Sequence, residues 1–344
     1  MRIEAIEGPI GTELLQHICD LYGRSVDRRY FDLEFTRRVF NCNPAGRSYH
    51  LFAFKGPQAI GCYALIPMKI VARGRSMWAG KGEALYVREQ YRPAGLLLLQ
   101  RGTSFATEHG LELQFGLTHS RLEGLMQELG FEILPGVLDH RFCLLRPHNV
   151  RQLTTSRINL AIAQALAAVQ ATVRKAVTGL LESRVSVQVN RAEHLSSVFA
   201  AIAGGSQPRD NRWSVATDTE SLRWWNNIGC LDVLTMDGST EEFVAITRGM
   251  PWANVEIIQW NVRYGGLSRA LRILQIVIDK ANHEEAAAIS IGPYADVSGR
   301  RNLQLAASLL GFVRRRARRA LCIKATDSFF LDPRNLDFNW LFSI

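Results

Sequence analysis

The chain holds no run approaching the roughly 20 uninterrupted apolar residues that span a bilayer. Its longest candidate, Ile158 to Val173, is broken by Asn159, Gln164 and Gln170. The opening MRIEAIEGPIG lacks the basic start and apolar core of a secretory signal, so a soluble, cytoplasmic protein with no membrane span is expected. Cys-x-x-Cys pairs are absent too. The six cysteines (Cys19, Cys42, Cys62, Cys143, Cys230, Cys322) lie scattered, which argues for reduced, mostly buried thiols rather than a zinc site or a disulfide framework. The eight histidines fall in no HxxxH or HExxH spacing, and no metal site is read. Gly and Pro, at 27 and 11 residues, show no collagen-like or linker-like bias. What the chain has is core material: 344 residues, 47% of them apolar, well over the ~150 residues of a typical domain. Two domains are expected.

Acid is missing locally. From His140 to Leu181 there are six cations (Arg141, Arg146, Arg151, Arg157, Arg174, Lys175) and no carboxylate. From Val297 to Thr326 there are eight (Arg300, Arg301, Arg314, Arg315, Arg316, Arg318, Arg319, Lys324), again without an acid. The net charge is only +9, so the rest of the chain is acidic on balance. Such windows attract phosphates or an acidic partner through their summed field, or simply keep a solvated face soluble. An acyl-carrier protein, a phosphorylated ligand and RNA all fit, and composition does not separate them.

Periodicity gives the order. RIEAIEG alternates as a strand, Thr12 to Tyr22 has helical spacing, and FDLEFTRRVF is a helix stopped before Pro44. YHLFAFK and AIGCYALIPMKIVA form a hairpin across Gly56-Pro57. EALYV then runs into Arg92-Pro-Ala-Gly95 and the helix LLLLQRGTSFATEHG, followed by strand LELQFGL, helix SRLEGLMQEL and strand FEIL. Residues 151–183 read as a connecting amphipathic helix, with an apolar stripe at Ile158, Ile162, Leu166, Val169, Val173 and Val177. The earlier pattern then partly returns: ANVEIIQW leads to Arg263-Tyr-Gly-Gly266 and a helix, and Leu310-Gly-Phe312 echoes Leu129-Gly-Phe131. The reading is an internal duplication, with residues 1–150 as one domain and 184–344 as the other. Adjacent Trp224 and Trp225 on one helix are not both expected to face one core; one is a candidate to line a cleft, and burial in the core is the preferred reading.

In each half a strand enters Arg-x-x-Gly at a helix start. Glycine permits close backbone approach, and free amides with the helix dipole suit an anion. With Asn43-Pro-Ala-Gly46, Gln58-Ala-Ile-Gly61, Ala84-Leu-Tyr-Val87 leading to Gly95, and Gly116-Leu-Thr-His-Ser120, the chain resembles the GNAT (GCN5-related) N-acyltransferase superfamily. The match is best over residues 30–135. The whole is similar to tandem-GNAT proteins of bacterial cell-surface polysaccharide and amino-sugar acylation. The resemblance implies an α/β (α+β) fold of two GNAT-like domains, each a mixed, mostly antiparallel twisted sheet flanked by helices. It also implies transfer of an acyl group from acyl-CoA (acetyl-CoA by default), or from an acyl-carrier protein, to a small-molecule amine. Val87, Arg92, Ala94, Gly95 and Leu96, or Arg263, Gly265, Gly266 and Ser268, would cradle the donor's pyrophosphate. Glu83, with Glu256 as its second-half counterpart, would draw off the amine proton. His119 is a candidate base and Tyr294 a candidate acid, though capping or turn chemistry explains both more cheaply. Departures are Pro93, which removes an amide from the loop, Leu97 at a small position, and Met126 and Ala307 where many members carry a tyrosine acid. Two further readings stay open: a Fem-like aminoacyl-tRNA-dependent transferase, and a non-catalytic binding or regulatory protein.

Overall fold

The structure, a computed structural model, describes residues 1–134, 140–145, 157–178, 187–190, 199–200, 212–216, 218–228, 231–236, 239–249, 254–262, 266–291, 300–315 and 319–336. In chain order its strands are β1 (Arg2–Glu7), β2 (Tyr49–Lys55), β3 (Gln58–Ala72), β4 (Arg75–Val87), β5 (Leu113–His119), β6 (Glu132–Leu134), β7 (His140–Leu144), β8 (Val187–Asn190), β9 (Trp213–Val215), β10 (Leu231–Met236), β11 (Ser239–Gly249), β12 (Asn254–Asn261), β13 (Ala288–Ile291), β14 (Val313–Arg315) and β15 (Arg319–Ala325). The helices used below are α1 (Thr12–Ile18), α2 (Leu33–Asn41), α3 (Pro93–Glu108), α4 (Glu123–Glu128), α5 (Arg157–Thr178), α6 (Thr219–Asn227), α7 (Gly266–His283) and α8 (Arg300–Leu309). None of the described helices is long and apolar enough to cross a membrane.

Two sheets share one strand order. The first runs β1-β2-β3-β4-β5-β15-β6, with β9 paired to β3; the second runs β8-β10-β11-β12-β13-β7-β14. Each is antiparallel except at one step, β4 with β5 and β12 with β13. The fold is therefore the expected pair of GNAT-like domains. Local chemistry repeats as well. Helices α4 and α8 both end at a glycine with φ near +84°, Gly130 and Gly311. There Phe131 N–H reaches Met126 O and Phe312 N–H reaches Ala307 O, both at 2.9 Å. A left-handed residue of this kind satisfies the last helical carbonyls, and glycine adopts it without a Cβ clash.

The compact units do not follow the chain. One comprises 1–137, 203–229 and 318–344; the other comprises 138–202 and 230–317. The division thus differs from the one expected at 150 and 183. Strand β15, late in the chain, pairs with β5 from Arg319↔His119 to Ala325↔Leu113 and with β6 on its other side. Strand β7, from the first half, sits between β13 and β14. Each half donates its last long strand to the other half's sheet. Helix α6 and β9 likewise belong to the first unit, and α5 belongs to the second, packing on β7 through Leu160, Ala163 and Ala167.

The α5 stripe is divided: Leu166 and Val177 pack against buried clusters, and the rest is largely exposed. Ile158, Ile162 and Val169 are more than half exposed. The buried face instead carries Gln170, which accepts from Leu144 N–H (2.9 Å) and donates to Gly311 O (2.6 Å), and Arg174, which donates to Leu144 O and Leu145 O. These side chains satisfy backbone groups that the strand ladder leaves open. The exchange also sets Arg141 opposite Arg314, so the two acid-free windows meet in the second unit.

Candidate active site

In the first sheet, β4 and β5 pair only over Ala79↔Leu113, Gly80↔Gln114 and Lys81↔Phe115. Beyond that they part, while each stays paired to its outer neighbour, β4 to β3 and β5 to β15. At the fork two glycines oppose: a Cβ on Gly116 would lie 3.6 Å from Gly82 O. A cavity of about 140 Å³ fills the wedge.

Its walls differ by face. Lys81, Glu83, Tyr22 and Val26 line one side; Tyr63, Leu99, Met126, Phe131 and Cys322 line the other, where α3 and α4 pack. Lys81 Nζ lies 2.5 Å from Glu83 Oε2, with side chains 1% and 9% exposed. Beside this pair the strand is strained. The β3–β4 register steps from Ala64↔Glu83 to Cys62↔Tyr86, leaving Ala84 and Leu85 opposite one residue, and Ala84 has φ +52°. A left-handed alanine costs on the order of 1–2 kcal/mol, and such strain concentrates where function needs a particular backbone direction. The bulge takes Ala84 and Leu85 out of the β3 register just where β4 has already left β5.

Cys322 reaches this cavity from β15, so the late strand completes the wall of the first-half cleft. Its thiol donates to Gly116 O (3.2 Å), and burial pushes its pKa up to about 12.

Of the sequence candidates, Glu83 is brought into the cavity and His119 to its rim, at the exposed end of β5. At the end of β4, Arg88 N–H bonds Ile60 O, a short 3-10 turn follows, and α3 starts with Pro93. Gly95 lies against Val87: its Cβ would stand 3.5 Å from Val87 Cγ2. Arg92 pairs with Glu89 at 2.5 Å, both exposed; Ala94 is buried and Leu96 exposed. In the second unit Glu256 sits inside the paired ladder, opposite Thr247 and Ser290, before β12 continues past β13. Gly266, with φ +62°, opens α7, and Ser268 is exposed on its first turn. Arg263, Gly265 and Tyr294 lie outside the described residues.

Trp224 and Trp225 are both buried, the reading preferred from the sequence. Both are 3% exposed, and the Trp224 indole donates to Arg38 O of α2 (3.0 Å). Sequence reasoning missed Lys81 and Tyr63. The alternation of β4 around Glu83 placed Lys81 on the same face and was available as a signal. Nothing in the sequence showed that Tyr63, two strands away from β5, reaches the fork. Among the described residues no cluster of His, Cys, Asp and Glu could hold a metal.

No protein-family model matches the chain, and no curated protein does. Solved structures do. A GCN5-related N-acetyltransferase from Kribbella flavida matches with 12% identity and TM-score 0.52, over 95% of this chain and 72% of the other. A GCN5-related N-acetyltransferase from Anabaena variabilis ATCC 29413 matches at 10% identity and TM-score 0.55, over 94% and 73%. N-myristoyltransferase of Saccharomyces cerevisiae, solved with bound myristoyl-CoA, matches at 10% identity and TM-score 0.59, over 94% and 78%. At these identities the likeness shows the fold: that of the GCN5-related N-acyltransferases, in two copies.

Proposed function

We propose that this protein is an N-acyltransferase that moves an acyl group from acyl-CoA to a small amine in the β4–β5 cleft of its first unit. The observation that carries the reading is the forked cleft, with a carboxylate at a strained bulge and the start of α3 following the end of β4. Chemistry of this kind needs little: a group to take the amine proton, donors for the carbonyl oxygen, and a place for the thiol to leave. Glu83 takes the proton. The amides of Ala84 and Leu85 turn toward the carbonyl oxygen as charge develops there. Arg92, Gly95 and the first turn of α3 hold the pyrophosphate through amides and the helix dipole. The amine nitrogen bonds to the carbonyl carbon, the C–S bond breaks, and free CoA leaves.

Calorimetric titration with acetyl-CoA and a thiol-release assay over a panel of amines test this. Binding and amine-dependent CoA release are expected. Glu83→Gln should cut turnover about 100-fold with acetyl-CoA affinity retained, whereas Gly95→Trp should abolish binding. A wild-type protein that neither binds acetyl-CoA nor releases CoA would end the proposal and favour the non-catalytic reading.

A further inference from the structure

We propose that the acceptor is an α-amino acid, its carboxylate held by Lys81 and its amine by Glu83, an inference that rests on the acyl-transfer reading above. Both side chains line the cavity, and Lys81 Nζ meets Glu83 Oε2 at 2.5 Å. Among the described residues on the wall they are the charged groups, with His119 at the exposed rim. The site is therefore a neutral pair of opposite charges in nearly dry surroundings. A ligand that meets both charges must carry both, and must carry them close together. An amine and a carboxylate on one carbon do so. The cavity, about 140 Å³, is close to the roughly 150 Å³ that accommodates benzene, so the amine, the carboxylate and the carbon between them fit.

Gln114 of β5 supports a polar ligand independently. It is 4% exposed and lines the same cavity. Its Nε2 donates to Thr103 O (3.2 Å), while its Oε1 is buried without a hydrogen-bond partner in the protein. A buried acceptor left open costs free energy that an N–H from a ligand recovers.

Charge balance through the reaction favours the same ligand. When Glu83 takes a proton from an alkylammonium, Lys81 loses the counter-charge of Glu83 in a place with almost no water, which is costly. An amino acid brings its own carboxylate, so Lys81 keeps a counter-charge while Glu83 is protonated. The ammonium gives one proton to Glu83, and the amine nitrogen bonds to the thioester carbonyl carbon. The C–S bond breaks, and the second proton from nitrogen leaves with sulfur as the thiol. Glu83 returns its proton to solvent, with N-acyl amino acid and CoA as products.

The test measures CoA release from acetyl-CoA with a set of α-amino acids, their amides, and the alkylamines that lack the carboxylate. The amides keep the size of the acids and have the less basic amines, so they are the more reactive at neutral pH in the absence of recognition. The wild type should nevertheless use its best amino acid with a kcat/KM about 10- to 100-fold above the matching amide and alkylamine. Lys81→Met should remove that preference. Wild-type use of amide or alkylamine equal to or above the acid overturns the proposal while acyl transfer stands, whether or not the variant folds. A Lys81→Met protein that folds by circular dichroism and keeps the preference overturns it too, as does acetyl-CoA binding with no amino acid turned over. If the wild type neither binds acetyl-CoA nor releases CoA, the acyl-transfer reading itself fails, and the acceptor falls with it.

Discussion

A lysine and a glutamate facing each other with almost no water are costly to desolvate, and removing one partner leaves a buried, uncompensated charge. Lys81 and Glu83 are such a pair, which ties the cleft's chemistry to its stability. His50 makes a sharper residue-scale case. Its ring accepts or donates one contact, Nε2 to Ser48 Oγ at 2.6 Å, and Nδ1 is buried without a partner. Burial pulls its pKa down from 6.5 to about 3. The folded state therefore holds His50 neutral while the unfolded chain takes up a proton below 6.5. The stability this residue contributes is complete above that value and is lost as pH falls toward 3, at up to about 1.4 kcal/mol per pH unit. Urea unfolding of the wild type and His50→Gln from pH 7 to 5 checks it: the wild type should show the steeper loss. At this scale Glu83 was legible, because a carboxylate on the strand entering a glycine loop is visible in one dimension. The place of Tyr63 at the fork was not, because it depends on glycines 19 and 39 positions later that make room for its ring.

At the scale of elements, the helices and turns were the most readable parts. Asp32 caps α2 by accepting from Glu34 and Phe35 N–H, and Asp218 caps α6 through Ser221 N–H; both follow from short polar side chains before an apolar periodicity. Helix α5 shows where such reasoning stops. Its apolar stripe identified a helix, but periodicity did not say that Ile158, Ile162 and Val169 would be exposed while Gln170 and Arg174 are buried. Gln170 and Arg174 decide the orientation, because the end of β7 offers buried backbone groups and the turn at Gly311 a half-buried one. Gln170→Leu should therefore cost about 1–3 kcal/mol, from the buried Leu144 N–H left unsatisfied. Val169→Gln, on the exposed face, should stay within about 0.5 kcal/mol. Urea denaturation of the two variants distinguishes them, and a costly Val169→Gln would mean that the apolar stripe is covered after all.

For the whole molecule, the strand exchange governs what can fold alone. Residues 1–150 hold the expected first domain in sequence, yet β5 and β6 meet only through β15. A 1–150 fragment leaves one full edge of β5 unpaired and opens the sheet beside the cleft. It should lack cooperative unfolding by near-UV circular dichroism, and adding residues 319–344 in trans should restore structure. A 1–150 fragment that folds cooperatively by itself would show that the exchanged strand is dispensable. The sequence by itself determined the two-fold repeat, the β-strand-to-glycine-loop motif and the candidate carboxylate, because all of these are written in local spacing and backbone propensity. Only the tertiary structure decided which strand completes which sheet, which face of α5 is buried and which phenol reaches the fork. Those outcomes depend on pairing and desolvation between residues far apart in the chain, where no local period carries the information.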